Sequence, residues 1–303
     1  MTHRPVRIGC AVILGVDAVP VTLEVTLGNS CTGVPRILGL ADAGVREAYF
    51  RVMGGFAAQG LALPRDVPTI NLTPATIRKT GNGFDLPMAL GLAGAAGEFA
   101  PPARLAAAGE VSLSGEILPT PGIISVALAA RDRGWTELLT APDCARHAAL
   151  VPGISVYAAA NLREAILWRR GELQLQPQQP LPPDPAPMGL DLGDIRGHAT
   201  PKLALQVAAA GRHNLLMVGP PGSGKSALAR RLVGLLPPPD EQEALEILKI
   251  HTVDGRAPDG RFGQRPMRAP HHTSSSPSLL GGGRDPRPGE ITLAQHGVLF
   301  LDE

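Results

Sequence analysis

The densest chemistry in the sequence lies in Gly219-Pro220-Pro221-Gly222-Ser223-Gly224-Lys225-Ser226. This run fits GxxxxGK[ST], a spacing in which glycines let the backbone wrap a phosphate chain with its N–H groups turned inward. In that arrangement Lys225 reaches the β- and γ-phosphates and the Ser226 hydroxyl ligates Mg²⁺. A lysine in an ordinary Gly/Pro turn has the same letters, so context decides. An apolar run at 214–218 precedes the loop, and a helical pattern at 225–235 follows it. Strand, loop and helix in that order place an anion at a helix start. ATP with Mg²⁺ is the expected ligand pair.

The expected partner is Val298-Leu299-Phe300-Leu301-Asp302-Glu303. Four apolar residues predict a central strand buried on both faces. Its carboxyl end is where ligands bind in open α/β sheets. There Asp302 is expected to hold Mg²⁺, commonly through water, and Glu303 to polarise the attacking water. Lys225 and Glu303 are thus the expected catalytic pair.

Other candidates are weaker. Arg256, Arg261, Arg265 and Arg268 share their stretch with a single acid, Asp259. They read either as contacts to DNA phosphates or as a surface loop whose arginines pair with acids elsewhere. Adjacent His271 and His272, placed in a strand, would point to opposite faces, and no third ligand is evident. No metal site is expected there. Gly281, Gly282 and Gly283 read as a hinge or a close-approach loop.

Elements to position these residues are available. The 303 residues give room for about two domains. Hydrophobic residues make up 44%, enough for cores, and the 36 glycines and 31 prolines mostly punctuate apolar segments. The net charge is +1, with acids and bases balanced in both halves, so charge alone does not mark a nucleic-acid binder. Arg4 and Arg7 before the apolar run 8–16 imitate a signal peptide, but Asp17 ends that run and the alternating strand 21–27 follows. Cys10, Cys31 and Cys144 have no metal-ligand spacing and suit a reduced compartment. The protein is expected to be cytoplasmic, with no membrane partner.

The segment 174–190 holds six prolines and no basic residue, and reads as a semi-rigid spacer. It divides an expected domain at 1–173 from another at 191–303. In the first, Val45, Tyr49, Val52 and Phe56 recur at helical spacing over 42–58, with a strand at 69–72, a helix at 85–96 and further alternation to residue 170. In the second, a helix is expected at 201–210.

Three segments together resemble the Mg-chelatase-like branch of AAA+ ATPases, specifically the ComM/YifB family: GRHNLLMVGPPGSGKS (211–226), RPMRAPHHTSSSPSLLGGG (265–283) and PGEITLAQHGVLFLDE (288–303). The resemblance implies an insertion in the second helix of the ATPase core, which suits the long spacing here. The family usually has Gly-Gln ahead of the first core helix, where this chain has Gly197-His198. That region packs near the adenine, so the resemblance makes Ile195 and His198 nucleotide contacts.

KTGNGFDLPMALGLAG (79–94) and GEVSLSGEILPTPGI (109–123) resemble that family's N-terminal domain, which shares its fold with the Lon protease catalytic domain. The implied fold is α/β: a Lon-protease-like (ribosomal S5 domain 2-like) α+β domain, then an incomplete P-loop AAA+ α/β domain. The Lon-type serine falls on Asp85 and the lysine on Ile124, so the domain is expected to be proteolytically inactive despite Ser112, Ser114 and Ser125.

The resemblance further implies an ATP-driven homo-oligomeric ring, a hexamer, acting on single-stranded or branched DNA during recombination of incoming strands. Family members continue past the acidic strand with a sensor residue, an arginine finger and a helical lid. On that ground the 303-residue chain is expected to bind nucleotide weakly and turn it over poorly. The alternatives are the ATPase subunit of a metal-chelatase complex, an ATP-dependent protease, and a truncated non-catalytic nucleotide-binding module.

Overall fold

The computed structural model describes residues 4–28, 35–62, 66–182, 190–254, 262–282 and 286–302. The chain divides into two compact units, Met1–Leu181 and Pro182–Glu303. The first contains β1 (Val6–Leu14), β2 (Asp17–Gly28), β3 (Arg36–Leu38), α1 (Ala43–Ala58), β4 (Val67–Thr73), α2 (Asp85–Ala95), β5 (Leu105–Ala108), β6 (Glu110–Val111), β7 (Ile117–Leu118), α3 (Ile123–Asp132), β8 (Glu137–Thr140), α4 (Pro142–Ala148), β9 (Ser155–Ala158) and α5 (Leu162–Arg170).

Seven of these strands form one sheet, in the order β3-β4-β2-β1-β5-β8-β9. The ladders are parallel except for β1–β2 and β2–β4. The period-2 pattern explains how the sheet is seated. Val6, Ile8, Cys10 and Val12 of β1, with Val21, Leu23 and Val25 of β2, all face the buried side. Against that side lies α2, buried over nearly its whole circumference. Such a helix must be apolar all round, and its Ala, Leu and Gly content meets that need. Gly91 is required by close approach, since a Cβ there would stand 2.6 Å from Val25 Cγ2. On α1, Val45, Val52 and Phe56 are buried, Tyr49 packs against the core, and the Asp42 carboxylate caps the first turn by accepting from Val45 N at 2.8 Å.

Residues 174–181, expected as the start of a semi-rigid spacer, lie along this unit. Gln178 N donates to Val156 O at 2.8 Å, and Leu175 packs on the core. Edge strand β9 still has a free carbonyl to offer, and an extended proline-rich chain can satisfy it without forming a regular strand.

Lys79 is wholly covered, and its ammonium donates to the Pro74 carbonyl. Burial pushes its pKa below the ordinary lysine value of 10.5, against the pull of nearby Cys10. As pH rises through the window below 10.5, the unfolded chain holds a proton that the folded chain has released, so stability rises. Lys79→Met is therefore expected to raise Tm at pH 7, with the gain shrinking as pH approaches 10.5. A lower Tm for the variant at neutral pH would contradict this account.

The second unit contains α6 (Ala199–Gly211), α7 (Lys225–Ala229), α8 (Glu241–Val253), β10 (Met267–Arg268), α9 (Ser276–Leu280), β11 (Gly281–Gly282), β12 (Arg287–Pro288), α10 (Glu290–Leu293) and β13 (Val298–Leu299). A small core of Leu192, Leu205 and Leu228 gathers Ile195, Met217, Leu232 and Leu235.

The structure corrects three local expectations in this unit. Residues 214–218 form no ladder, and Leu216 and Val218 are 86% and 89% exposed. An apolar run becomes a strand only where neighbours supply hydrogen bonds, and among the described residues none does so here. The strand expected at 298–301 is reduced to β13, paired in parallel with β10, and it is half-buried, not wrapped on both faces; Leu301 is 65% exposed. The helix expected at 225–235 ends at Ala229 and is followed by a 3₁₀ turn, Val233–Leu235, ahead of Pro237, Pro238 and Pro239. Pro237 forces Leu236 into extended backbone and donates no N–H, which ends the 3₁₀ turn; it lies too far along the chain to account for the stop of α7 at Ala229.

Candidate functional site

The glycine-rich loop turns twice through positive φ, at Gly222 (78°) and Gly224 (83°). An L side chain adopts that conformation rarely, so both glycines are needed for the turn. Gly224 is the N-cap of α7, with no side chain satisfying the first N–H groups. Lys225 Nζ folds back over the loop, donating to Gly219 O at 2.8 Å and Pro220 O at 3.1 Å. The ammonium thus closes the loop on itself and stands where a phosphate oxygen would replace these two carbonyls as its acceptor. Ser223 N donates to Pro220 O at 3.3 Å, which holds Pro221 and Gly222 at the loop's crest.

Ser226 Oγ donates to Asp302 Oδ2 at 2.8 Å, across 76 residues of sequence. A hydroxyl and a carboxylate side by side are oxygen donors of the kind Mg²⁺ takes, so the residues present fit that ion. β13 delivers Asp302, and the start of α7 delivers Ser226. Glu303 lies outside the described residues.

His198 comes beside the loop: its Nε2 is 4.0 Å from where a Cβ on Gly224 would stand. Ile195 sits in the small core with Leu228, and its carbonyl accepts from Lys202 Nζ. The structure therefore gathers His198, Gly219 to Ser226 and Asp302 around one loop, and places Ile195 in the neighbouring small core. A cavity of about 320 Å³ between α6 and Gly297 to Phe300 includes none of residues 219–226 and not Asp302.

Of the four candidate arginines, Arg265 and Arg268 are committed to the fold. Arg265 Nε donates to Pro237 O (2.6 Å), Nη1 to His296 O (2.7 Å) and Nη2 to Glu243 Oε2 (2.7 Å). Arg268 grips both oxygens of Glu290. This is the acid-pairing alternative, and it withdraws both residues from DNA contact. Arg256 and Arg261 lie outside the described residues. His271 and His272 do not face apart: their rings lie side by side, 4.1 Å between centroids, because the segment is a turn and not a strand. Among the described residues no group of three His, Cys, Asp or Glu could hold a metal ion. Gly281 and Gly282 pair with Arg287 and Pro288, and a Cβ on Gly281 would meet Arg287 O at 2.6 Å. Close approach is the role seen there; Gly283 lies outside the described residues.

The Arg265 fork holds the Glu243 carboxyl below the ordinary carboxylate range. A depressed folded pKa gives stability that is present above the unfolded value and lost as pH falls through the folded one. Glu243→Gln is expected to make the stability of the second unit less dependent on pH through the acid range, and Arg265→Lys to lower Tm because an ammonium cannot reproduce the fork. Unchanged acid denaturation in the glutamine variant would rule out this role.

In the first unit, Asp85 is fully buried and held by Arg51 through Nε (2.7 Å) and Nη2 (2.9 Å), while Val111 N donates to it at 3.1 Å. Burial raises its pKa above the ordinary value, and the Arg51 hydrogen bonds oppose that rise. Ile124 is wholly buried. Sequence reasoning singled out Asp85 but missed Arg51, which lies on another helix at a spacing no local pattern shows.

An α/β unit whose glycine-rich loop holds a lysine, beside a serine–aspartate pair, is consistent with the P-loop class. The family described as "Magnesium chelatase, subunit ChlI" matches residues 191–303, and "Subunit ChlI of Mg-chelatase" matches residues 23–143. The uncharacterized protein YifB of Salmonella typhimurium is 40% identical over 296 residues, covering 96% of this chain and 58% of that protein. Competence protein ComM of Haemophilus influenzae is 39% identical over 298 residues, and YifB of Escherichia coli 38% over 295, each with the same coverage. The chain belongs to the Mg-chelatase-like family that contains ComM and YifB, a family of AAA+ type ATPases. It spans 58% of the length of these relatives. Among the described residues no helix is long and apolar enough to cross a membrane.

Proposed function

We propose that this chain carries the nucleotide site of an ATP-driven motor that remodels DNA, working as a homo-oligomeric ring of six. The observation that carries the nucleotide reading is the convergence of Lys225, Ser226 and Asp302 on one glycine-rich loop. Mg²⁺, when bound, would offset the charge of the phosphates. Ser226 and Asp302 would hold the ion, Lys225 the phosphates, His198 and Ile195 the base side, and Glu303 the attacking water. The relative named competence protein ComM supports a role in handling incoming DNA, and recombination of those strands in the cytoplasm is part of the same proposal.

The first unit, on this reading, is a Lon-like domain without peptidase activity. Asp85 offers no hydroxyl and is bound to Arg51, and Ile124 offers no base. Casein incubated with the protein and ATP should remain intact. A second reading, the ATPase subunit of a metal-chelatase complex, is favoured by the two family descriptions. ATP turnover of the full-length gene product, with and without branched DNA, separates the two. Stimulation by branched DNA, lost in Glu303→Gln while nucleotide binding persists, supports the motor. Turnover indifferent to DNA supports the chelatase reading.

A further inference from the structure

One face of the seven-stranded sheet packs on α2; the other is covered only in part. α3 crosses it near the β1–β2 turn, where Ser125 Oγ donates to Val16 O at 2.7 Å. Towards the start of β1 the same face displays polar rows set by the register. Arg7 lies beside Glu24 and Asn71, and Gly9 beside Thr22 and Thr73. Gly9 leaves a gap that the indole of Trp135 fills: a Cβ on Gly9 would stand 2.6 Å from Trp135 Cδ2. Trp135 comes from the loop between α3 and β8, preceded by Arg133. The loop is tied to Arg104, whose carbonyl accepts from Thr136 N and Glu137 N. These residues enclose a concavity of about 410 Å³.

Its charge is unbalanced. Glu24 accepts from Arg7 Nε at 2.9 Å and from Asn71 Nδ2 at 3.1 Å, so the groove's one acid is used. Arg104 and Arg133 are exposed, and no described residue forms a side-chain hydrogen bond or ion pair with either. Two uncompensated guanidinium groups thus flank a half-buried indole over a floor of threonine hydroxyls. Phosphodiesters need the cations, and an unpaired base needs a flat aromatic surface to stack on. A duplex hides its base faces and would use only the charges.

We propose that this groove binds single-stranded nucleic acid, with phosphates on Arg104 and Arg133 and a base stacked on Trp135. The inference rests on the DNA-remodelling reading for its choice of a nucleic-acid strand as occupant, and gives that strand a seat on the first unit. The groove needs no nucleotide in the second unit.

The test uses the whole chain without ATP and an oligothymidylate about thirty nucleotides long. The chain has two tryptophans, so Trp168→Phe leaves Trp135 as the reporter. The strand should quench Trp135 emission saturably. In fluorescence anisotropy, Arg104→Ala with Arg133→Ala should weaken binding roughly tenfold or more, and reduce the slope of log affinity against log salt by about 1.4. Trp135→Leu keeps an apolar cover over Gly9 and should weaken binding roughly tenfold by removing the stacking surface. Circular dichroism checks that each variant is folded. Binding that leaves Trp135 emission unchanged, or that the double arginine variant retains in full, overturns the proposal while leaving DNA remodelling intact. Equal affinity for a duplex, or no binding of the strand, also overturns it. Turnover indifferent to branched DNA, with groove binding intact, counts against the motor reading alone.

Discussion

Lys225→Ala should lower affinity for ATP by roughly a hundredfold, a loss of about 3 kcal/mol. The wild-type ammonium rests on two loop carbonyls, Gly219 O and Pro220 O, so it is already placed and little conformational freedom is lost when phosphate oxygens replace them. The alanine variant loses that charge-assisted contact and also the tie that closes the loop. Any turnover should fall further, by roughly 10²–10³, since a positioned charge acts most strongly where charge develops in the transition state. Titration with a fluorescent ATP analogue, with and without Mg²⁺, reads the binding arm. Asp302→Asn should retain most binding in the absence of Mg²⁺ and lose the gain that Mg²⁺ gives. Equal affinities for wild type and Lys225→Ala would exclude the glycine-rich loop as the phosphate site.

Arg51→Ala should destabilise the first unit by about 3–5 kcal/mol, the range for removing one partner from a buried ion pair. Asp85 is fully enclosed, and Arg51 supplies two of the three hydrogen bonds its carboxylate receives. Without Arg51, the carboxyl must either take up a proton or remain charged in an apolar surround. The variant's loss should therefore be smaller at mildly acidic pH, where protonation relieves it. The double variant Arg51→Met/Asp85→Asn should recover much of the loss, because asparagine still accepts from Val111 N and brings no charge. Urea denaturation of wild type, Arg51→Ala and the double variant measures the loss and its recovery. A loss below about 1 kcal/mol in Arg51→Ala would mean that Asp85 is solvated in solution.

The parts of this molecule legible in the sequence are those encoded locally. Alternation marks β2, and helical spacing marks α1, because each pattern reports which side of one element is buried. The glycine-rich loop is similarly local, and its acidic partner is readable because a strand end is a recurring place for ligands. Arg51 with Asp85, and Arg265 with Glu243, were out of reach because each pair joins elements whose approach only the folded chain defines. At Arg265 composition left two readings open, and the bonding seen is the one in which the arginine pairs with an acid elsewhere in the chain. The seat of Trp135 over Gly9 is invisible for a further reason: its sequence signal is the absence of a side chain.

The unpaired segment at 214–218 has a kinetic consequence. Its backbone amides have no ladder partner, whereas those of β1 and β2 are locked in a nine-pair register. Amide deuteration should therefore reach 214–218 early and the β1–β2 hairpin late, by the free energy needed to open each. Because this segment leads directly into the phosphate loop, slower deuteration there on adding nucleotide would report ordering of the loop's own anchor, without any substitution or attached dye.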